Sequence, residues 1–139
     1  MMRSSKPIML VDDDDIDFIT LKRALKELNI KNYVVRSVNG KEALDYLSNP
    51  DNEMPCLILL DINMPVMNGL EFLRNRIKNE MIRSIPTIVL TTSKNDFDKS
   101  EAFRLSVAGY VVKPVDYHKF KDTLKVIDSY WTMCEFVAD

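Results

Sequence analysis

A chain of 139 residues, 46% hydrophobic and 29% charged, has room for one domain with a sizeable core and not for two. Its formal net charge of -2 lacks the basic excess that a nucleic acid or an acidic membrane surface demands, so neither is an expected partner. Cys56 and Cys134 show no metal-ligand spacing and no disulfide framework, and the only apolar stretch near the N-terminus is too short for a signal peptide or a span, which together predict a soluble, cytoplasmic protein.

In chain order, Pro7 to Val11 is a short apolar run that ends in Asp12-Asp13-Asp14-Asp15. Phe18, Leu21, Leu25 and Leu28 then recur at helical spacing and predict a helix from about Asp15 to Asn29, with an aspartate as its cap. Tyr33 to Val38 reads as a strand broken by Asn39-Gly40, and Glu42 to Leu47 as a short helix closed by Asn49-Pro50. Cys56 to Leu60 is apolar without alternation, the pattern of a strand buried on both faces, and it delivers Asp61 into the loop Ile62-Asn63-Met64-Pro65-Val66-Met67-Asn68-Gly69. Leu70, Leu73 and Ile77 line one face of a helix over roughly Asn68 to Asn79. Pro86 to Thr91 is a further buried run, and a helix follows from Asp96 to about Val107, with Gly109 as its stop. Tyr110-Val111-Val112-Lys113-Pro114 is the fifth strand. The last helix starts near Asp116 and turns Phe120, Leu124 and Ile127 inward. Five strands alternating with five helices predict a parallel sheet wound with right-handed crossovers, most simply in the flavodoxin-like order 2-1-3-4-5.

In that order strands 1 and 3 are neighbours, so Asp12 and Asp13 lie beside Asp61 at the carboxyl edge of the sheet, where ligands of such folds gather. An aspartate after a strand is commonly only a turn or cap residue, and that reading suits Asp14, Asp15 and Asp17. Three carboxylates within about 5 Å repel by roughly 3 kcal/mol per pair at an effective dielectric of about 20. A hard divalent cation with oxygen ligands relieves this, and Mg²⁺ suits a site with few carboxylates. Thr91 adds a hydroxyl, Lys113 a cation and Asn63 a backbone carbonyl, which completes the parts of a phosphoryl-transfer site. Taken singly, Thr91 also reads as an ordinary strand residue and Lys113 as a solvated strand end.

Val11-Asp12-Asp13, Asp61 through Gly69, Pro86 through Thr91 and Tyr110 through Pro114, in this order and at these separations, resemble the receiver domain of two-component response regulators over nearly the whole chain. The resemblance implies that Asp61 accepts a phosphoryl group from the phosphohistidine of a sensor kinase. It also implies Mg²⁺ held by Asp12, Asp13, Asp61 and the Asn63 carbonyl, with Thr91 and Lys113 as catalytic partners and Thr91 with Tyr110 as the switch pair. A cis bond between Lys113 and Pro114 belongs to the same expectation. Thr91-Thr92-Ser93-Lys94-Asn95-Asp96 and the tail Tyr130-Trp131 with Cys134-Glu135-Phe136 resemble the phytochrome-associated single-domain regulators, which makes a phytochrome a candidate kinase. Thr92 stands where a smaller residue is common.

Residues 1–129 are expected to form the receiver domain and 130–139 an extension of the last helix, with no output domain. The product is then a stand-alone switch that acts on a downstream protein, or a carrier within a phosphorelay, and not an enzyme beyond its own phosphorylation and dephosphorylation. Phe120, Leu124, Trp131 and Phe136 form a stripe read as a homodimer interface, with packing onto the chain's own core as the alternative. His118 reads as a solvent-exposed helix residue. A phosphohydrolase of the haloacid dehalogenase type also uses a strand-end Asp and Mg²⁺, but it requires a second Asp where Asn63 stands. A pseudo-receiver that signals without phosphate is disfavoured by the full set of Asp12, Asp13, Asp61, Thr91 and Lys113.

Overall fold

The computed structural model describes residues 5–134. Five parallel strands, β1 (Ile8–Val11), β2 (Val34–Ser37), β3 (Leu57–Leu60), β4 (Thr87–Thr91) and β5 (Gly109–Val112), form one sheet in the order β2-β1-β3-β4-β5. The helices are α1 (Asp15–Glu27), α2 (Gly40–Ser48), α3 (Gly69–Ile77), α4 (Asp96–Arg104) and α5 (Tyr117–Met133). The predicted flavodoxin-like topology is the one observed.

The apolar runs explain the layers. Successive strand residues point to opposite faces, so Met9, Val11, Ile58 and Leu60 enter one core with Phe72 and Leu73, while Ile8, Leu10, Leu57 and Leu59 enter a second with Leu21, Leu25 and Leu124. α2, α3 and α4 cover the first, α1 and α5 the second. Each helix opens on a side-chain cap that satisfies backbone donors: Asp14, Asn39, Asn68, Asn95 and Asp116. At α3 the cap is a reciprocal box between Asn68 and Glu71.

Three expectations are corrected. The stripe on α5 fills the protein's own core: Phe120, Leu124 and Trp131 are 8%, 3% and 2% exposed and pack with Leu21, Leu25 and Ile88, so they offer no face to a second copy. Phe136 lies outside the described residues. Gly109 is not the stop of α4, which ends at Arg104 with Leu105 as cap; Ser106 takes the left-handed backbone (φ 67°), and Gly109 opens β5. No described peptide bond is cis, so Lys113–Pro114 is trans, the default isomer, and Lys113 reaches its partners from it.

Among the described residues, no helix is long and apolar enough to cross a membrane.

Candidate functional site

The parallel ladder places the acidic residues. Val11 pairs with Leu60, so the next residues, Asp12 and Asp61, emerge side by side, and the Asp61 N–H continues the ladder onto the Val11 carbonyl at 2.9 Å. One carboxylate oxygen each from Asp12, Asp13 and Asp61 lies within 4.8 Å of the others. Lys113, at the end of β5, brings its Nζ to 2.8 Å from Asp12 Oδ2 and 3.3 Å from Asp61 Oδ2, and it also hydrogen-bonds Asp17.

Burial sets the electrostatics. Asp12 is 1% exposed, and desolvation pushes its carboxyl up to about 6 against the opposing pull of Lys113 and the Asp14 N–H, with the Asp61 charge adding to the rise. Burial alone would drag the Lys113 ammonium down, but the bonds to Asp12 and Asp17 and the charge of Asp61 win and hold it above its ordinary value. Three carboxylates, Asp12, Asp17 and Asp61, therefore share one ammonium, with Asp13 beside them. The donors are all oxygen and the charge excess is negative, so the residues present fit a hard divalent cation.

The loop after Asp61 is shaped to hold that carboxylate. Asp61 Oδ1 accepts from the Ile62 N–H at 2.7 Å, which leaves Oδ2 facing Lys113. The Met67 N–H closes onto the Pro65 carbonyl at 2.8 Å across Val66, whose φ of 67° is strained for a β-branched residue. Gly69 returns its N–H to Ile62 at 2.8 Å, and a Cβ there would stand 2.3 Å from the Asp61 carbonyl oxygen, so only glycine fits. Asn63 sits exposed within this loop.

Thr91, fully buried, ends β4; its Oγ1 accepts from the Ser93 N–H at 3.3 Å and makes no bond to Asp61. The half-buried Tyr110 hydroxyl donates to the Ser93 carbonyl at 3.0 Å, and Ser93 Oγ donates to Asp98 at 2.7 Å, which ties β5, the β4–α4 loop and α4 together. Thr92 and His118 are exposed.

Asp12, Asp13, Asp61 and Lys113 thus meet as expected, with Thr91 on the adjacent strand end. Two participants were not anticipated. Asp17, read as a turn or cap residue, is a direct partner of Lys113; its place in the first turn of α1 beside the acid edge was the available signal. Arg36, on β2, reaches the Asp12 carbonyl and the Asp15 carboxylate, and no pattern in the sequence marks it.

Comparison with known proteins agrees with this geometry. Residues 8–125 match the family model described as the response regulator receiver domain. The "Probable methanogenesis regulatory protein FilR2" of Methanothrix harundinacea is 34% identical over 89% of this chain and 82% of its own. Response regulator Rcp1 of Synechocystis is 31% identical over 91% and 88% of the two chains, and its Mn²⁺-bound crystal structure superposes with a TM-score of 0.86 over 96% of this chain and 99% of that one. The phosphorylated cyanobacterial phytochrome response regulator RcpA, 30% identical, gives a TM-score of 0.85 over 96% and 98%. With most of its length matched and the acidic edge intact, the chain belongs to the response regulator receiver family.

Proposed function

We propose that the protein is a phosphoaccepting signalling switch in which Asp61 takes a phosphoryl group from the phosphohistidine of a sensor kinase. The observation that carries this reading is the meeting of Asp12, Asp13 and Asp61 within 4.8 Å, with Lys113 Nζ bonded to both Asp12 and Asp61. Asp12, Asp13, Asp61 and the Asn63 carbonyl would hold Mg²⁺, which when bound supplies charge neutralisation for the transferring phosphoryl group. Asp61 Oδ2, turned toward Lys113, is the attacking oxygen; it bonds to phosphorus as the phosphorus–nitrogen bond to the histidine breaks. Lys113 then exchanges a carboxylate partner for a phosphoryl oxygen. Thr91 Oγ1 accepts from the Ser93 N–H and keeps its own proton to donate to the phosphoryl group, and Tyr110 answers because it holds the carbonyl of that same Ser93. The switch is thus a repacking of the β4–α4 loop.

Similarity to the cyanobacterial phytochrome response regulator RcpA supports a phytochrome as the upstream kinase. The downstream target is a protein.

Intact-protein mass after incubation with acetyl phosphate and Mg²⁺ tests the chemistry. One phosphoryl adduct is expected on the wild type and none on Asp61→Asn or in EDTA. Retention of the adduct by Asp61→Asn would refute the assignment, and many turnovers of p-nitrophenyl phosphate would replace the switch with a hydrolase.

A further inference from the structure

We propose that Arg36 is a positioning residue for the acidic loop that follows β1, acting on divalent-cation binding through the Asp12 backbone and the Asp15 side chain. The inference rests on the metal-dependent reading above and extends it to a residue on the edge strand β2.

Arg36 is aligned with Leu10 in the β1–β2 ladder, so its side chain starts two residues short of the acid edge and reaches it along the sheet. Its Nε donates to the Asp12 carbonyl at 3.1 Å and its Nη1 to Asp15 Oδ1 at 2.6 Å. The guanidinium carbon lies 5.2 Å from the centre of the Phe18 ring, and the side chain is 15% exposed. Nη2 is buried with no hydrogen-bond partner among the described residues, so the fork is held here at a desolvation cost, which a charge needed only for solubility would not incur.

The two bonds bracket Asp13. Asp12 is fixed at its carbonyl by Arg36 and at its carboxylate by the Asp14 N–H at 2.9 Å, Asp14 caps α1 through the Ile16 N–H at 2.8 Å, and Asp15 returns to Arg36. The loop between the two Arg36 contacts carries both carboxylates that would meet the cation beside Asp61. A planar fork with two donors at fixed spacing can make this two-point grip, and a lysine cannot.

A bystander role for the same charge makes the opposite prediction. Removing a cation near an acidic cluster strengthens its attraction for Mg²⁺, whereas removing a positioning contact weakens binding. Calorimetric Mg²⁺ titration of the wild type, Arg36→Gln and Arg36→Lys, with thermal unfolding of each, separates the two. Both variants are expected to bind Mg²⁺ roughly tenfold more weakly while keeping a cooperative transition. Arg36→Lys matters most, since it keeps the charge and loses only the geometry. Unchanged affinity in Arg36→Lys, or tighter binding in Arg36→Gln, would overturn the inference while leaving the phosphoacceptor reading intact. A wild type that neither binds Mg²⁺ nor takes up a phosphoryl group would overturn both.

Discussion

Two buried cations stand at opposite edges of the sheet, and their surroundings differ in kind. Lys113, at the carboxyl edge, faces Asp12, Asp17 and Asp61. Arg76, near the end of α3 and 2% exposed, meets only backbone: Nη2 donates to the Ile85 carbonyl at 2.8 Å, Nη1 reaches the Leu105 carbonyl at 3.5 Å, and Nε has no partner among the described residues. Burial lowers the Arg76 guanidinium from its ordinary value, while the carboxylates raise Lys113 despite burial. One edge holds more negative charge than its cation can neutralise and so retains a demand for a ligand. The other holds a charge that neutral carbonyls tolerate, and its role is to close the α3, α4 and β4 ends of the core.

The largest test of this contrast is steric. Gly69→Ala forces a methyl against the Asp61 carbonyl and is expected to cost about 3 kcal/mol in urea unfolding and to weaken Mg²⁺ binding as well, because the displaced backbone carries the acceptor. At the opposite edge, Arg76→Ala is expected to cost about 2–3 kcal/mol through the lost packing of its stem, with Mg²⁺ affinity unchanged. Lys113→Met removes the ammonium from among three carboxylates and is expected to cost roughly 2 kcal/mol without metal, less than a fully buried pair because Asp17 is 32% exposed. Saturating Mg²⁺ should recover most of that loss and bind more tightly than to the wild type. Arg76→Met is the matching control: the Ile85 carbonyl keeps the Thr87 hydroxyl at 3.2 Å, so stability should change by less than about 1 kcal/mol. A large loss in Arg76→Met with none in Lys113→Met would reverse the comparison.

The same contrast explains what could be read from the sequence. β1, β3 and β4 are buried along their whole length, so their unbroken apolar runs were legible, and strand-end placement followed for Asp12, Asp61 and Thr91. Lys113 was placed by the same rule. Its partnership with Asp17 joins residues 96 apart and depends on how α1 leans toward the end of β5, which no local pattern encodes. The α5 stripe shows the limit of periodicity: Phe120, Leu124, Ile127 and Trp131 announce a buried face without saying whose core buries it, and here it is the chain's own. Ser106 took the left-handed position expected of Gly109 because α4 stops earlier, one residue before the turn that the Leu105 N–H closes onto Ala102 and Glu101. Arg36 and Arg76 were illegible for a common reason, since both bind backbone carbonyls, and carbonyls are everywhere in a sequence.

The smallest expected effect belongs to a third charged cluster, on the surface between α1 and α5, where solvent replaces burial. Glu27 accepts from the Tyr117 hydroxyl at 2.7 Å, from Lys121 Nζ at 3.2 Å and from Arg23 Nε at 3.3 Å, and the Arg23 guanidinium lies 3.9 Å from the centre of the Tyr117 ring. The Tyr117 hydrogen bond first, and Lys121 next, lower its carboxyl from 4.5 to about 2. A carboxyl lowered on folding favours the native state when ionised, so its contribution is whole above pH 4.5 and is lost as pH falls through about 2. Urea midpoints of the wild type and Glu27→Gln should therefore differ slightly and constantly at neutral pH, converge toward pH 2, and draw together in high salt, because exposed pairs are screened. A gap that survives at pH 2 would mean that Glu27 acts by packing against Tyr117, and the surface cluster would then resemble the Arg76 edge, where shape matters more than charge, rather than the Lys113 edge.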